Sequence, residues 1–252
     1  MMPEIAIYLI IFLYGLCIGS FLNVCIYRIP KGENIAIVRS HCLSCGYNLK
    51  WYDNIPLISY ICLGGRCRKC REHISLQYPI IEAINAILYV CVFLINGLNV
   101  ESGIYCLTFS AFLVLSIIDF RTYEIPVGIN VFILALGLIH LGLDPSSWLH
   151  YVIGLFSVSV ILAIIYYASN GRAIGGGDVK LMATTGLLVG WKLNVLGFLF
   201  GCVLGSIIHV IRMRVSKADH VLAMGPYLAA GVAIAMLYGD RFLEWYLSLI
   251  GI

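Results

Sequence analysis

The chain has 252 residues, of which 61% are hydrophobic and only 12% charged, with a formal net charge of +3. Soluble domains carry about 25% charged residues, so an ordinary water-soluble globule is excluded and an integral membrane protein is expected. The small basic excess gives no footing for nucleic acid. Basic loops beside spans serve topology and anionic headgroups, each residue near the surface contributing about 1 kcal/mol.

In chain order, charge-free runs occupy residues 5–27, 83–100, 102–118, 125–143, 145–171, 193–211 and 221–239. Each is near the roughly 20 residues that cross a ~30 Å hydrocarbon core. An eighth run, 181–191, is too short alone and spans only by recruiting Asp178 and Lys180. The predicted fold is an all-α polytopic membrane protein of about eight transmembrane helices. Its first run follows Glu4 rather than a basic stretch and ends without a small-residue cleavage site, so it reads as a retained anchor. No repeat of 20 to 50 residues is visible, which argues against a solenoid. Three regions are expected: a first transmembrane helix over 1–26, a polar insert over 27–78, and a membrane-embedded domain over 79–252.

Basic loops tend to stay cytoplasmic. With the N-terminus outside and all eight runs spanning, all but two of the 16 Lys and Arg fall inside, including Arg212, Arg214 and Lys217. If 181–191 does not span, those three move outside. The count orients the first half of the chain and barely decides the second.

The insert holds two matched pairs, HCLSCG with Cys42 and Cys45, and GRCRKC with Cys67 and Cys70. Two C-x-x-C pairs at this separation match a zinc ribbon, four thiolates closing a tetrahedral structural site with no open position for a substrate water. A metal staple also suits a segment with too small a core to fold alone. Disulfide or redox chemistry is the alternative. It is disfavoured in a reducing cytoplasm, and no βαβ pattern accompanies the pairs. His41 is a further candidate ligand, second to a fourth thiolate. The other six cysteines, Cys17, Cys25, Cys62, Cys91, Cys106 and Cys202, read mostly as small hydrophobes. His140, His150 and His209 stand alone in apolar runs and read as packing residues.

Two carboxylates remain at the ends of apolar runs, Asp119 in LSIIDFRTYEIP and Asp178 in GGGDVKLMA. A carboxylate at membrane depth is expensive and marks a functional site by default. In the eight-span arrangement both lie at cytoplasmic ends, where they can meet. Two carboxyls sharing a site do not both ionise cheaply, so one keeps its proton while the other acts on a water. Such a pair hydrolyses an amide without metal or covalent intermediate. Gly175, Gly176 and Gly177 are expected to form an extended edge that holds a substrate backbone. The plainer alternatives are an interfacial Asp119 paired with Arg121 and an Asp178 that caps the next helix.

These residues resemble the type IV prepilin leader peptidases, membrane aspartyl proteases of the GxGD class. The likeness rests on GSFLNVCIYRIP (19–30), the paired cysteines with WYDNIPLISY (51–60) and ISLQYPIIEAI (74–84), IDFRTYEIP (118–126), GGGDVKLMA (175–183) and MGPYLAAG (224–231). The departures are Leu43 where proline is usual, Val127 where an acidic residue often follows Ile-Pro, and Met224 where phenylalanine is common. The resemblance implies eight spans, Asp119 and Asp178 as the catalytic pair, and cleavage of basic leaders after a glycine in prepilins or type II secretion pseudopilins. It places the active site at the cytoplasmic face of a bacterial inner membrane. It also implies methylation of the new N-terminus by S-adenosylmethionine, with Gly65, Arg66 and Glu82 as the residues to inspect. Arg66 stands where the family often has lysine, which is not a neutral exchange at a contact site. No strand-GxGxxG-helix pattern supports that second activity independently. A rival from another class is a proton-coupled transporter using the two aspartates as relays beside a broken helix, which leaves the zinc-ribbon insert unexplained. A silent assembly partner is a third reading, opposed by the intact aspartate pair.

Overall fold

A computed structural model of the chain describes residues 2–216 and 222–250. Lys217 and residue 221, which opens the last apolar run, lie outside the described residues. The helices are α1 (Met2–Arg28), α2 (Ile58–Cys62), α3 (Gln77–Asn96), α4 (Val100–Thr122), α5 (Val127–Leu143), α6 (Trp148–Ser157), α7 (Ser159–Ala168), α8 (Gly176–Ser216) and α9 (Gly225–Ile250). No strand of more than an isolated bridge occurs among the described residues. Among the described residues, five helical stretches are long and apolar enough to cross a membrane, 5–31, 77–96, 100–122, 145–168 and 176–215. The chain divides into two compact units, Met1–Val114 and Leu115–Ile252, the boundary falling within α4.

In the first unit α1 and α3 pack through small residues. A Cβ on Gly15 would lie 2.7 Å from the Ala86 Cα, and one on Gly19 would lie 2.7 Å from the Glu82 Cα. Rising numbers on α1 meet falling numbers on α3, so the helices are antiparallel. Lipid tails are as apolar as leucine, so close backbone approach and buried hydrogen bonds hold such pairs. Asn85, fully buried, donates to the Gly15 carbonyl (2.8 Å) and accepts from Ser110 Oγ (2.8 Å), which also bonds the Tyr89 hydroxyl (2.9 Å).

Between α1 and α3 the insert is built from two copies of one turn. Cys42 N–H donates to the Tyr47 carbonyl and Gly46 N–H to the Cys42 carbonyl; Cys67 N–H donates to Glu72 and Arg71 N–H to Cys67 in the same way. Each turn is closed by a single antiparallel bridge, His41 to Asn48 and Arg66 to His73. Gly46 and Arg71 occupy equivalent left-handed positions, at φ 68° and 61°.

The second unit is organised by α8, which is not one straight rod. Asn194 Nδ2 donates to the Met182 carbonyl (3.0 Å) and Thr185 Oγ1 to Asn194 Oδ1 (3.0 Å). In a straight helix residues 182 and 194 would be about 18 Å apart. The chain therefore reverses at Gly190, whose φ of 78° and ψ of 171° are accessible essentially to glycine alone. His150 fills the space a side chain there would need. The result is a helical hairpin with limbs 176–189 and 191–216. Gly154 and Gly186 touch backbone to backbone, bringing α6 against the first limb. The second limb meets α9 in the same manner, Gly197 against Val232 and Gly201 against Leu228. His140 is not an isolated packing residue: it is buried and its Nδ1 donates to the Leu188 carbonyl (2.9 Å) near the hairpin apex. Of the cysteines read as packing residues, Cys25 and Cys106 are buried, whereas Cys17 and Cys62 are exposed.

Candidate active site and metal centre

Asp119 sits in the last turn of α4, and its side chain turns inward, leaving the residue 4% exposed. Its Oδ2 accepts the main-chain N–H of Gly225 at 3.0 Å. Gly225 opens α9 and precedes Pro226, so it presents a donor at a helix head, where partial positive charge accumulates. The Tyr123 N–H donates to the Asp119 carbonyl (2.8 Å), and Tyr123 takes a left-handed φ of 57° as the chain leaves α4.

Asp178 is the third residue of α8, 9% exposed, and its N–H donates to the Gly175 carbonyl (3.1 Å). It is thus inside the first turn and not the cap. Its carboxylate folds back over Gly175, where a Cβ would lie 3.0 Å from Oδ2. The two aspartates line one cavity of about 250 Å³, together with Tyr123, Glu124 and Ile125 from the end of α4, the three glycines, and Lys180.

The extended glycine edge expected from the sequence is absent. Gly176 and Gly177 form the first turn of α8, with Gly175 just before it. A Cβ on Gly177 would lie 2.9 Å from the Ile125 Cβ, and one on Gly176 would lie 3.5 Å from the Tyr166 ring. The missing side chain of Gly177 admits Ile125 against the first turn of the helix, whereas at Gly176 a Cβ would make only an ordinary contact with Tyr166. All three still line the cavity.

Sequence reasoning missed Gly225, Tyr123, Glu124, Ile125 and Lys180 as parts of this site. All five lie within stretches the sequence singles out, IDFRTYEIP, GGGDVKLMA and MGPYLAAG, but nothing in their residue types assigns them to the cavity.

In the insert, the Sγ atoms of Cys42, Cys45, Cys67 and Cys70 all lie within 4.8 Å of one another. Cys42 and Cys70 are 3.8 Å apart and Cys45 and Cys67 4.0 Å. Four thiolates at a Zn–S distance of about 2.3 Å around a tetrahedral ion are separated by about 3.8 Å, so two pairs already stand near that spacing and the cluster could hold a metal ion such as zinc. His41 bonds the Arg39 carbonyl through Nδ1 and is not in the cluster. Main-chain N–H groups of Cys70 and Lys69 hold the Cys67 thiol down to about 6, favouring the thiolate a metal needs. Below the cluster Asp53, whose side chain is 1% exposed, ties the two turns together. It accepts from Arg68 Nε (2.7 Å), the Lys50 N–H (3.2 Å) and the Tyr47 hydroxyl (3.3 Å). Burial alone would raise its titration, but the Arg68, Lys50 and Tyr47 donors together hold it below the usual carboxylate range.

Gly65, Arg66 and Glu82 are not gathered into one group by the contacts described. Gly65 (φ 66°) packs under the Tyr60 hydroxyl, Arg66 is exposed, and buried Glu82 accepts the Leu57 N–H at 2.9 Å. Residues 57–60 are what connects them.

Two family models match the chain: the bacterial peptidase A24 N-terminal domain over residues 13–95 and the type IV leader peptidase family over residues 106–210. Among curated proteins, the prepilin leader peptidase/N-methyltransferase of Pseudomonas aeruginosa is 32% identical, the match covering 95% of this chain and 93% of that one. The protein of the same name from Bacillus subtilis is 30% identical over 95% and 98% of the two chains. That of Aeromonas salmonicida is 31% identical over 96% and 94%. No solved structure matches the chain. With relatives of one name spanning nearly its whole length, and with paired cysteines and paired aspartates inside the matched regions, the chain belongs to the prepilin leader peptidase/N-methyltransferase family and is an enzyme of that family.

Proposed function

We propose that this chain is an aspartyl endopeptidase that removes the leader of prepilins or pseudopilins, cutting after a glycine at the cytoplasmic face of a bacterial inner membrane. The observation that carries this reading is the convergence of Asp119 and Asp178, both buried and from different helices, on one cavity. Hydrolysis then needs one ionised and one protonated carboxyl with a water between them. Asp119, which faces a main-chain donor at the head of α9, suits the role of the ionised base. It takes a proton from the water as the oxygen attacks the scissile carbonyl. Asp178 gives its proton to the developing oxyanion. When the gem-diol intermediate collapses, the leaving amine takes the proton held by Asp119, a gem-diol hydroxyl returns a proton to Asp178 as the new carboxyl C=O forms, and both carboxyls are back in their starting state. Gly175, Gly176 and Gly177 offer main-chain groups at the cavity wall for the extended substrate backbone.

In this reading there are eight spans: α1, α3, α4, α5, α6 with α7, the two limbs of α8, and α9. The N-terminus is outside, and the insert, the end of α4 and the head of α8 lie inside. Support comes from the hairpin at Gly190, which makes two passes of α8, and from Asp240, Arg241 and Glu244, which lower the apolarity of the final helix without shortening it. The three regions keep the bounds 1–26, 27–78 and 79–252. Cys42, Cys45, Cys67 and Cys70 would hold a zinc ion that supplies folding energy to the insert and takes no part in hydrolysis. Methylation of the new N-terminus by S-adenosylmethionine rests on the relatives' name. Gly65, Arg66 and Glu82 remain the candidates for that activity, Gly65 packed against Tyr60 and Glu82 bonded to the Leu57 N–H, and no step is routed through the cofactor.

The test is incubation of the purified protein with a prepilin peptide, products being weighed by mass spectrometry with and without S-adenosylmethionine. Cleavage on the carboxyl side of glycine is expected, with a methyl mass shift as a separate readout. Intact peptide under conditions where the protein holds its zinc would sink the reading and leave the relay-carboxylate transporter in its place.

A further inference from the structure

The antiparallel pairing of α1 and α3 makes residues 29–76 leave and re-enter the membrane at adjacent points. Asn23 fixes the junction, donating to the Tyr78 carbonyl (3.2 Å) and accepting from Gln77 Nε2 (3.3 Å). Within the insert, the Leu57 N–H reaches Glu82 Oε2 at 2.9 Å. Glu82 lies five residues inside α3, about 7.5 Å along the helix axis from Gln77. The turn at Leu57, itself held at a left-handed φ of 58°, is drawn down beside the second turn of a membrane span.

α2 begins at the next residue. Its Ile58 and Ile61, one helical turn apart and so on one face, are 57% and 75% exposed, and Trp51 is 79% exposed at the head of the adjoining turn 51–53. Large apolar side chains grouped on a polar insert call for a cover. At the same level α3 exposes Ile80 and Ile84, which the span turns to lipid. Lys50 stands 5.6 Å from the ring centre of Tyr52, which itself lies edge-on to Trp51, whereas Arg68 is paired with Asp53.

We propose that Trp51, Ile58 and Ile61 form a foot by which the insert rests in the headgroup region of the bilayer, with anionic lipid drawn to Lys50. The occupant is lipid because the Leu57 to Glu82 bond holds the start of α2 at interfacial depth beside a membrane span and because the patch joins a tryptophan to a neighbouring lysine. Tryptophan gathers at membrane interfaces for its apolar ring and polar N–H, and basic residues there favour anionic headgroups. The foot is independent of the peptidase reading.

The experiment uses the full chain in vesicles of phosphatidylcholine with and without phosphatidylglycerol, the acyl chains brominated near the headgroup. Subtracting the tryptophan emission of Trp51→Phe from that of wild type isolates Trp51. Its emission is expected at short wavelength, with a loss of intensity in brominated bilayers that deepens when phosphatidylglycerol is present. The pair Ile58→Asp with Ile61→Asp should move the emission to longer wavelength and reverse the quenching at unchanged zinc content. If that double variant loses its zinc, the wild-type difference spectrum decides alone. Emission as in water without quenching would overturn the proposal. So would quenching that depends on protein density in the membrane, which assigns the patch to a second copy, or a blue shift seen only with added prepilin peptide, which assigns it to substrate. Equal quenching in the two vesicle types would overturn the role of anionic lipid.

Discussion

Replacing Gly225 by alanine isolates the contact that holds Asp119. A Cβ there would lie 2.7 Å from Asp119 Oδ2 and 3.1 Å from the Ile125 Cδ1. The first distance is too short for any real contact, and the atom that must give is the end of the aspartate side chain, not backbone. The carboxylate therefore swings away and its 3.0 Å bond from the Gly225 N–H is lost. Hydrogen bonds to charged groups contribute about 1.5–3 kcal/mol. If that stabilisation is realised in the transition state, the loss is roughly 10- to 100-fold in cleavage rate at about 1.4 kcal/mol per tenfold. The fold should survive, because alanine is the better helix former and Gly225 is not among the positive-φ glycines. Cleavage of a prepilin peptide under saturating substrate is the assay, with thermal unfolding in detergent and zinc content as controls. Gly225→Ala with more than about half of wild-type kcat, an effect under roughly 0.5 kcal/mol, would refute the idea that this contact positions the dyad.

Asp119→Asn and Asp178→Asn should each abolish cleavage in a folded, zinc-loaded protein, since an amide is no base; either variant keeping more than about a tenth of the rate, a loss of only about 1.4 kcal/mol, would end the dyad assignment. Removing zinc with a chelator, or replacing Cys70 by serine, should loosen residues 40–74 to hydrogen exchange while the core of α8 stays protected; elemental analysis finding no zinc in protein from zinc-replete growth would refute the staple. Asp53 titrates below the usual range when folded, so its contribution is present above the unfolded value of about 3.9 and lost as pH falls through the folded one. Asp53→Asn should accordingly lower the thermal unfolding temperature at pH 6, with the gap from wild type narrowing as pH falls below about 3.9, and a gap that widens there would contradict the sign.

What could be read from the sequence was what side chains advertise. Four cysteines at matched spacing, two carboxylates at the ends of apolar runs and the runs themselves all need particular residue types, and the geometry found for them follows from those types. Main-chain contacts leave no such trace. The Gly225 N–H meets Asp119 across 106 positions, and nothing but a Gly-Pro pair hinted that the head of α9 faces a carboxylate. The three glycines before Asp178 were misread for a related reason. Glycine permits both an extended edge and a close-packed helix turn, and the turn found here packs Gly177 against Ile125, which lies elsewhere in the chain. The short run 181–191 looked ambiguous because its helix starts earlier, at Gly176, and ends in a reversal that a single glycine allows.

The reversal at Gly190 also bears on how water reaches a peptide bond in a membrane. The limb from 176 to 189 is about 21 Å long, whereas the hydrocarbon is ~30 Å thick. Its apex carries Trp191 and Lys192, both exposed, which suits an interface. An apex held there leaves the opposite end about 9 Å short of the other surface. The bilayer must thin or a wet funnel must open over that end, where Gly175, Gly176, Lys180 and Glu124 stand around Asp178. In the proposed reading, the length of one helix limb sets how far the bilayer thins or water descends to reach Asp178.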